Sequence, residues 1–443
     1  MYVTKPKIKT EIPGPKARKI LEEDKRYISP SHGRAYPLVV KKAEGMALED
    51  VDGNVFLDFS AGIAVASTGH CHPEVAEAVK RQVDRLIHIS GTDFYYEEQI
   101  ELARKLSELT PGKGIKKAYF GNSGAEAVEA AFKLCRWITR VPNMIACFGS
   151  FHGRTYGALS FTASKSLYRM RYSPLVPGVV HIPYPYCYRC IFNKRHGDCS
   201  FECIAYIEET VFRHLLSPED TAGLIIEPIQ GEGGYIVPPK EYFRMLRETC
   251  DKYNILLIID EIQAGMGRTG KMFAIEHWGI IPDVITVAKG LASGLPIGAC
   301  IAREELMTWT PGTHGSTFSG NLLSCVAGLK TIELIEKGLM KNAENIGEHM
   351  LERLNELKER HDIIGDVRGK GLMIGVELVK DGNKMAKDEA KEAVLRMFRK
   401  GISTLTCGLN TIRFSPPLVV SEEEADCALE IFEEIIIGIE RSS

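Results

Sequence analysis

Two ionisable side chains stand directly after apolar stretches, at positions where the strands of a parallel sheet would end. Asp260 follows Leu256–Ile259, and Lys289 follows Val284–Ala288. A carboxylate buried there needs a cationic partner such as a protonated pyridine nitrogen, although aspartate is also a favoured helix N-cap. A lysine that is partly shielded from water has a lowered pKa and can form an imine with an aldehyde, although most lysines are simply solvated. Each residue alone therefore leaves the chemistry open.

A third feature is the turn Gly121–Glu126, which follows another apolar stretch and opens a helical pattern. Ser123 and Glu126 have the spacing of a capping box, which places the helix N-terminus at Ser123. The free N–H groups and the positive dipole end of such a turn suit a phosphate, although most capped turns bind nothing. Together, the turn, the carboxylate and the lysine match one cofactor that carries a phosphate, a ring nitrogen and an aldehyde.

The elements that would position these groups are predicted through the middle of the chain. Short apolar stretches rich in β-branched residues alternate with longer segments, several with helical periodicity, which indicates a parallel sheet covered by helices. In such sheets ligands bind at the carboxyl ends of the strands. The predicted strands are Lys117–Phe120, Met144–Phe148, Gly223–Glu227, Leu256–Asp260 and Val284–Ala288.

The pattern changes after Leu323, where long helical segments and glycine-interrupted strands predict a smaller α+β domain. Its predicted elements are helices at Ala327–Lys337 and Asn342–Arg360, strands within Asp366–Leu378 and at Ile412–Phe414, and a final helix from Glu422. Asp52-Gly53 predicts a tight turn between two strands of the N-terminal segment, which we expect to complete this domain. The predicted fold class is α/β, with a large domain over residues 68–325 and a small domain formed by residues 1–67 and 326–443.

Composition restricts the function further. The 443 residues include 55 basic and 58 acidic side chains, which gives a formal net charge of −3. Neither nucleic acid nor an anionic membrane is therefore an expected partner. No apolar stretch is long enough to span a bilayer, and no apolar run follows the basic residues near the N-terminus, as a secretory signal requires. We expect a cytoplasmic protein that acts on small molecules.

The chain resembles the class III (ω-amino acid) aminotransferases through a series of ordered motifs between Asp52-Gly53 and Arg413. These motifs are Gly69-His70-Cys71-His72-Pro73, Asn122-Ser123-Gly124-Ala125-Glu126, Phe151-His152-Gly153-Arg154-Thr155, Glu227-Pro228-Ile229-Gln230-Gly231-Glu232-Gly233-Gly234, Asp260-Glu261-Ile262-Gln263, Gly267-Arg268-Thr269-Gly270, Ala288-Lys289-Gly290 and His314-Gly315-Ser316-Thr317-Phe318. The resemblance, which extends to archaeal ornithine and 4-aminobutyrate aminotransferases, implies fold type I of the transferases that depend on pyridoxal 5′-phosphate, the aspartate-aminotransferase-like fold. Pyridoxal 5′-phosphate would supply the phosphate, the ring nitrogen and the aldehyde.

The resemblance also implies a role for each matching residue around the cofactor. Lys289 would hold the cofactor as an imine and move the substrate proton, while Asp260 would pair with the ring nitrogen. The ring would also be contacted by Phe151, His152 and Gln263, with Phe151 stacked on its face and Gln263 at its hydroxyl. The phosphate would be held by Ser123, Gly124 and Ala125, with Thr317 reaching the phosphate of a partner subunit. The active sites would thus lie at the interface of a homodimer or a higher homo-oligomer.

Substrate selection would depend on arginines, which grip carboxylates through paired hydrogen bonds. By resemblance, Arg413 takes the α-carboxylate of an amino acid such as glutamate, and Arg154 takes the distal carboxylate. Glu232 matches a glutamate that pairs with Arg413 when the donor is an ω-amine, and it would act with Lys289 and Asp260 in catalysis. One pocket would therefore accept both a terminal amine and a 2-oxo acid.

Two residues bear on which amine is the donor. Ile63 matches a position that is isoleucine in 4-aminobutyrate aminotransferases and tyrosine in ornithine aminotransferases of the eukaryotic type. Asp93, beside Thr92, could instead receive the free ammonium group of ornithine, although a solvated aspartate or a helix cap explains it equally well. Ornithine and 4-aminobutyrate both stay open as donors to 2-oxoglutarate, with ornithine slightly preferred; the products would be glutamate and a semialdehyde.

Two other functions fit the same resemblance. Some archaeal members of the family are amino-acid racemases that use the same lysine and ring chemistry, and Glu232 together with Thr317 favours transamination over that alternative. A non-catalytic protein that binds pyridoxal phosphate is the other alternative, and Lys289 with Asp260 argues against it.

Four of the twelve cysteines form a cluster that departs from the family pattern. The pair Cys187 and Cys190 is separated by eight residues from the pair Cys199 and Cys203. Two such pairs can supply four thiolates to a tetrahedral zinc ion, but disulfides or free thiols in a surface loop account for them as well. The segment lacks a motif that ties it to the cofactor chemistry. We expect no metal in the catalytic site, and for the cluster we favour disulfides or free thiols over zinc.

Overall fold

The chain forms sixteen strands and twelve α-helices within residues 3–441, the part that the computed structural model describes. Residues 1–2 and 442–443, which the predicted small domain includes, lie outside the described residues. The strands are β1 (Val40–Glu44), β2 (Ala47–Asp50), β3 (Val55–Asp58), β4 (Lys116–Gly121), β5 (Asn143–Cys147), β6 (Val179–Ile182), β7 (Thr221–Ile226), β8 (Leu256–Asp260), β9 (Val284–Val287), β10 (Gly298–Arg303), β11 (Ile364–Lys370), β12 (Met373–Lys380), β13 (Lys384–Met385), β14 (Ile402–Ser403), β15 (Leu405–Cys407) and β16 (Thr411–Phe414).

The helices vary from a single turn to six turns. They are α1 (Pro15–Tyr27), α2 (Ala61–Ala64), α3 (Pro73–Val83), α4 (Glu97–Leu109), α5 (Gly124–Thr139), α6 (Tyr156–Phe161), α7 (Glu202–Tyr206), α8 (Tyr242–Lys252), α9 (Leu322–Leu334), α10 (Met340–Arg360), α11 (Lys387–Arg399) and α12 (Glu422–Glu440). Short 3₁₀-helical segments lie at Ser166–Tyr168, Cys187–Arg189, Pro218–Asp220, Ala274–Trp278, Lys289–Leu291 and Glu304–Leu306, and π-helical segments at Ile207–Phe212 and Ile335–Leu339. None of the helices in residues 3–441 is long and apolar enough to cross a membrane.

The large sheet has the strand order β4-β10-β9-β8-β7-β5-β6. Its neighbours pair in parallel except at β10, which is antiparallel to both β4 and β9. The five predicted strands are all present, each with ends within two residues of those expected. The fold is therefore α/β with a mainly parallel sheet, as predicted.

Helices cover both faces of this sheet because its strands are apolar on both sides. In β8, Ile258 belongs to a buried cluster with Val128 of α5. Its neighbours Leu257 and Ile259 belong to the larger core cluster, which includes Phe243 of α8. The strands are thus held between two helical layers, and only their ends are free to present polar side chains.

The remaining strands form two smaller sheets, β1-β2-β3-β14 and β11-β12-β16-β15, with β13 beside β12. Gly53, in the predicted turn between β2 and β3, has φ of 88°, a left-handed conformation that favours glycine. In the first of these sheets β14 pairs in parallel with β3, so that Ile402 lies opposite Leu57. This pairing brings the N-terminal and C-terminal segments together, and on it we base the proposal that residues 3–67 and 326–441 form one small domain.

The C-terminal helices agree with the predicted pattern, except that the first of them begins earlier. The α9 helix starts at Leu322 rather than Ala327, since Asn321 caps it by accepting the Leu323 N–H at 3.0 Å. The final helix starts at Glu422 as predicted, after a capping box formed by Ser421 and Glu424.

Candidate active site

A cavity of about 430 Å³ lies at the carboxyl ends of β8 and β9, where the sequence predicts the cofactor site. Nine of the residues assigned from the sequence line it together, although they come from distant parts of the chain. They are Ser123, Gly124, Ala125, Phe151, His152, Arg154, Asp260, Gln263 and Lys289. The sheet therefore gathers eight of the nine predicted cofactor-binding residues, all except Thr317, into one pocket together with Arg154.

One wall of the pocket is the turn that leads into α5. The Ser123 hydroxyl accepts the Glu126 N–H at 3.2 Å, which caps the helix as predicted. The capping box is incomplete, because the Glu126 carboxylate accepts the backbone and side-chain N–H groups of Asn122 instead of the Ser123 N–H. The N–H groups of Gly124 and Ala125 have no hydrogen-bond partner within residues 3–441. They form a cradle for an anion at the positive end of a sixteen-residue helix.

Two glycines let the chain pass close to this cradle. A Cβ atom on Gly124 would lie 2.9 Å from Cδ1 of Ile262, and one on Gly298 would lie 2.2 Å from the Ser123 carbonyl oxygen. Gly298 belongs to β10, a strand that was not predicted from the sequence, so its part in the site was missed. The backbone beneath the cradle therefore tolerates no larger residue at position 298.

Asp260 ends β8, and its buried carboxylate is oriented by two hydrogen-bond partners, His152 and Ile262. Its Oδ2 atom lies 2.7 Å from Nδ1 of His152, and its Oδ1 accepts the Ile262 N–H at 3.0 Å. No helix begins at Asp260, so the alternative that it serves as a helix cap does not apply. Because each carboxylate oxygen can accept a second hydrogen bond, Asp260 can also accept one from a protonated ring nitrogen in the cavity.

Gln263 is positioned by Tyr235, a residue for which no role was predicted from the sequence. The Tyr235 hydroxyl donates to Oε1 of Gln263 at 3.0 Å, and both side chains are buried. The amide nitrogen of Gln263 lies close to Gly231, where a Cβ atom would come within 2.3 Å of it. The amide is thus held with its N–H₂ group as the remaining donor.

Lys289 follows β9 with a backbone φ of 41°, which is the left-handed region and is strained for any residue other than glycine. Burial and the nearby charge of Arg413 lower the pKa of Lys289 to about 8, against the opposing effect of Asp260, Glu232 and Glu227. At pH 7 roughly a tenth of the amine is therefore neutral, far more than for an ordinary lysine, which favours imine formation.

Glu232 and Arg413 form an ion pair beside this lysine. Nη1 of Arg413 lies 2.9 Å from Oε1 of Glu232. Burial alone would raise the pKa of Glu232, but the positive charges of Arg413, Lys165 and Lys289 hold it below its ordinary value. The buried Nε atom of Arg413 has no partner within the described residues and remains a donor for a further carboxylate. Lys165 lies on the other side, with Nζ 3.4 Å from Oε2 of Glu232, a contact that the sequence did not suggest.

Glu227 is a second buried carboxylate of the pocket, and no role was predicted for it from the sequence. Its oxygens accept the N–H groups of Phe151 at 3.1 Å and Gly231 at 2.8 Å. Burial raises the pKa of Glu227 to about 7, although the neighbouring His152 opposes that rise. Glu227 therefore ties the segment of Phe151 to the loop that carries Glu232.

Five of the predicted substrate and cofactor residues are exposed. Arg154, at the edge of the pocket, stacks its guanidinium 3.8 Å from the centre of the Tyr168 ring. Thr92 donates to Asp93 at 3.1 Å and lines a second cavity of about 480 Å³ with His314 and Gly315. Ile63 and Thr317, like Thr92 and Asp93, do not line the Lys289 pocket of their own chain. The described chain alone therefore does not bring these four to the cofactor pocket.

The turn that carries Ile63 has an unusual backbone. Residues 61–64 are the single turn labelled α2, and all four have positive φ, from 48° to 67°. The turn is therefore left-handed, although only Gly62 favours that conformation. Ile63 is 42% exposed at this turn. Val65, which follows it, lines the Lys289 pocket. The turn thus stores backbone strain next to the pocket.

Comparison with known proteins places the chain in a family. A sequence profile described as "Aminotransferase class-III" matches residues 27–436. The chain belongs to the class III aminotransferases. Pyridoxal 5′-phosphate is the cofactor of this class, and the pocket fits it, since the orphaned N–H groups at Gly124 and Ala125, the oriented Asp260 and the lowered pKa of Lys289 correspond to its three polar parts.

The relatives of this class III aminotransferase include proteins of different activity. The chain is 42% identical to an alanine/serine racemase from Pyrococcus horikoshii, over 97% of this chain and 92% of the relative. It is 40% identical to a 4-aminobutyrate aminotransferase from Mycobacterium leprae, over 96% and 97% respectively. A solved structure of the ornithine aminotransferase from Toxoplasma gondii, with partial occupancy of pyridoxal phosphate at its active site, superimposes with a TM-score of 0.84 at 30% identity, covering 96% of this chain and 95% of that one.

Proposed function

We propose that this class III aminotransferase moves the terminal amino group of ornithine or 4-aminobutyrate to 2-oxoglutarate, giving glutamate and a semialdehyde. The observation that carries the proposal is the ion pair between Arg413 and Glu232. In this state the arginine is neutralised, so a donor whose reacting carbon bears no carboxylate meets no unpaired charge there. When Glu232 withdraws, the same arginine can bind the α-carboxylate of glutamate or 2-oxoglutarate through paired hydrogen bonds.

Lys165 supports this exchange because it offers Glu232 a second cation. Nζ of Lys165 is 3.4 Å from Oε2 of Glu232, and its side chain is partly exposed. A glutamate that leaves Arg413 would otherwise be a buried charge without a partner, which is strongly unfavourable. With Lys165 beside it, Glu232 stays paired in either position, and the pocket alternates between two substrate types at a low energetic cost.

The residues around the cofactor have separate tasks in this proposal. The bound cofactor supplies an aldehyde that accepts the amino group and a ring that spreads the charge left on the donor carbon. Nζ of Lys289 takes the proton from that carbon, and Asp260 keeps a negative charge opposite the ring nitrogen. Ser123, Gly124 and Ala125 hold the phosphate, while Phe151, His152 and Gln263 fix the plane of the ring. Arg154 faces the distal carboxylate of the 2-oxo acid.

We also propose that two chains complete each active site. Thr92, Asp93 and Thr317 stand apart from the Lys289 pocket of their own chain, and large apolar side chains near them are open to solvent. Phe94 is 54% exposed and Phe318 is 61% exposed, which is typical of a surface that another protein covers. In a homodimer Thr317 would reach the partner's phosphate, and Asp93 would face the ammonium group of ornithine in the partner's pocket.

The test is a coupled assay of glutamate formation from 2-oxoglutarate with either donor. We expect glutamate from at least one of them, with the Lys289→Ala variant as the inactive control. Nα-acylated ornithine keeps the terminal amine but lacks the free α-ammonium group, so it tests the role of Asp93. If Asp93 binds that ammonium group, ornithine reacts faster than its acylated form. The proposal fails if neither ornithine nor 4-aminobutyrate yields glutamate while the wild-type protein holds its full complement of cofactor.

A second candidate function is amino-acid racemisation, which the 42% identity to the alanine/serine racemase favours. The two reactions differ in what happens to the cofactor when an L-amino acid is added without a 2-oxo acid. An aminotransferase converts the absorbance of the pyridoxal form to that of the amine form and makes no D-isomer. A racemase accumulates the D-isomer and keeps the absorbance of the pyridoxal form.

A further inference from the structure

The four-cysteine cluster lies outside the cofactor pocket and around a small cavity of its own. Cys187, Cys190, Cys199 and Cys203 all line this cavity, which holds about 30 Å³. That volume accommodates one ion or one to two water molecules and is far too small for a cofactor-sized ligand. The twelve cysteines are all free thiols in the structure. The fold therefore brings the two cysteine pairs of the sequence to the wall of one small cavity.

The loop between the two pairs has no regular secondary structure and is mostly exposed. Residues 190–201 contain no helix or strand, and eight of the ten residues from 191 to 200 are exposed. Within it, Phe192 packs against Tyr206, and the ring of His196 lies edge-on to Phe201, which contacts the main core. A loop of this length without a core of its own is usually either functional or stabilised by some other means, and a bound ion is one such means for small segments.

We propose that these four cysteines bind one structural zinc ion, rather than the disulfides or free thiols that the sequence alone favoured, because all four line one cavity. The spacing of two residues within the first pair and three within the second lies in the range found at tetrahedral zinc sites with sulfur ligands. Binding exchanges four S–H protons, which pass to the solvent, for four zinc–sulfur bonds. In the structure no three of the sulfur atoms lie within 4.8 Å of one another, so the exposed loop closes around the ion when it binds.

The two ends of the site are already fixed, which leaves only the loop to move. Tyr186 and Arg189, on either side of Cys187, both donate hydrogen bonds to the buried carboxylate of Glu377 in β12. Cys203 belongs to the helix α7. Cys190 and Cys199 bound the exposed loop and complete the set. His196 also lines the cavity. Its Nε2 atom lies 3.5 Å from Oε2 of Glu241, so it is not counted among the four ligands.

Glu377, which holds Tyr186 and Arg189, also connects the cysteine site to the loop that carries Glu232. Arg368 donates to Glu377 at 2.8 Å and to the Gly234 carbonyl at 2.7 Å. Gly234 lies two residues after Glu232. The zinc ion would thus stiffen the segment that holds Glu377, and through Arg368 the loop that carries Glu232.

Metal analysis of the purified holoenzyme, expressed with added zinc, tests the proposal directly. We expect about one zinc per chain, as a closed four-thiolate site binds it tightly. The double variant Cys187→Ser/Cys199→Ser loses the metal, while Cys71→Ser, an exposed cysteine outside the cluster, keeps it. Less than about 0.1 zinc per wild-type chain, another metal in its place, or an undiminished zinc content in the double variant would each overturn the proposal.

Proteolysis provides a second readout that needs no variant. Trypsin cleaves after lysine and arginine, and both Lys194 and Arg195 are exposed in the loop. We expect chelation of the wild-type holoenzyme to speed cleavage at these residues about tenfold, since removing the ion increases local opening. Added zinc should reverse the effect, and added magnesium should not. Equal cleavage rates before and after complete removal of zinc contradict the proposal.

Discussion

Nδ1 of His152 lies 2.7 Å from Oδ2 of Asp260, and both side chains are buried at the end of β8. The other carboxylate oxygen is held by the Ile262 N–H, whereas Nε2 of His152 has no partner within the described residues. The carboxylate is therefore fixed in one orientation from two sides. A ring nitrogen that enters the pocket meets a charge that needs no rearrangement, which is the main source of electrostatic stabilisation in enzyme sites.

The Asp260→Asn variant should retain the fold and lose most of the activity. The amide cannot supply the negative charge opposite the ring nitrogen, and loss of one partner of a buried pair costs about 3 kcal/mol or more, roughly a hundredfold in rate. The rate of cofactor conversion after mixing with a donor measures the effect. Asp283→Asn is the matched control, because Asp283 pairs with Arg247 and Arg303 at the other end of the neighbouring strand. An equal loss in both variants would show that the effect is structural.

The Glu232→Gln variant should shift the preference of the pocket from terminal amines towards α-amino acids. Without the carboxylate, Arg413 is permanently unpaired, so glutamate and 2-oxoglutarate bind at least as well as before. For terminal amines we expect kcat/KM to fall about ten- to a hundredfold, because the unpaired buried arginine faces a donor without a carboxylate. Half-reactions with each substrate, followed by absorbance, separate the two effects.

Lys165→Met tests the second partner of Glu232 and should act in a milder way. Since this lysine is partly exposed, its contact contributes at most about 1 kcal/mol, or fivefold. The expected change is a higher KM for 2-oxoglutarate with a nearly unchanged half-reaction of the terminal amine, because in the variant Glu232 still pairs with Arg413 but lacks a partner once it leaves that arginine. A uniform decrease in both half-reactions would speak against this role.

Glu227 should make the stability of the protein depend on pH. Burial raises its pKa to about 7 in the folded state, against an ordinary value near 4.5, so the folded protein binds the proton more tightly than the unfolded chain. The stabilisation is complete below about pH 4.5 and is lost as the pH rises to 7, an overall change of about 3 kcal/mol. Urea unfolding at several pH values should show this fall in the wild type and a smaller one in Glu227→Gln. Parallel pH profiles would contradict the raised pKa.

Mixed dimers test whether Thr317 serves the partner's active site. Thr317→Ala should weaken cofactor binding about tenfold or more, as expected for loss of a hydrogen bond to a charged phosphate. When this variant is refolded together with Lys289→Ala, each mixed dimer contains one site with both changes and one site with neither. Activity at limiting cofactor should therefore exceed that of either variant alone. If Thr317 acted within its own chain, mixing would restore nothing.

The sequence was sufficient for the parts of the site that depend on local pattern. Apolar stretches end at Asp260 and Lys289 because buried strands admit polar residues only at their ends, and the Ser123 cap follows from the chemistry of helix N-termini. These features need no knowledge of distant contacts, which is why the strands were correctly predicted and why the structure places most of the predicted cofactor residues around one cavity.

Other features depend on contacts that no local pattern records. The proximity of Lys165 to Glu232 joins residues 67 positions apart, and the raised pKa of Glu227 depends on burial by the whole fold. The left-handed turn at residues 61–64 contradicts the local preferences of Ala61, Ile63 and Ala64, so only tertiary packing can impose it. The Glu126 carboxylate accepts the N–H groups of Asn122 rather than the Ser123 N–H of a complete capping box. The sequence spacing is compatible with both donors and could not distinguish them.

The parallel pairing of β14 with β3 imposes an order on biosynthesis. Asp58 and Ser403 are 345 positions apart, so at about 5–20 residues per second the ribosome needs roughly 20–70 s to supply the second strand after the first. During that interval the edge of β3 has no partner from β14, while the whole large sheet can already form. Nascent chains of this protein should therefore need protection of their amino-terminal segment, by a chaperone or by transient contacts, until almost the entire chain has emerged.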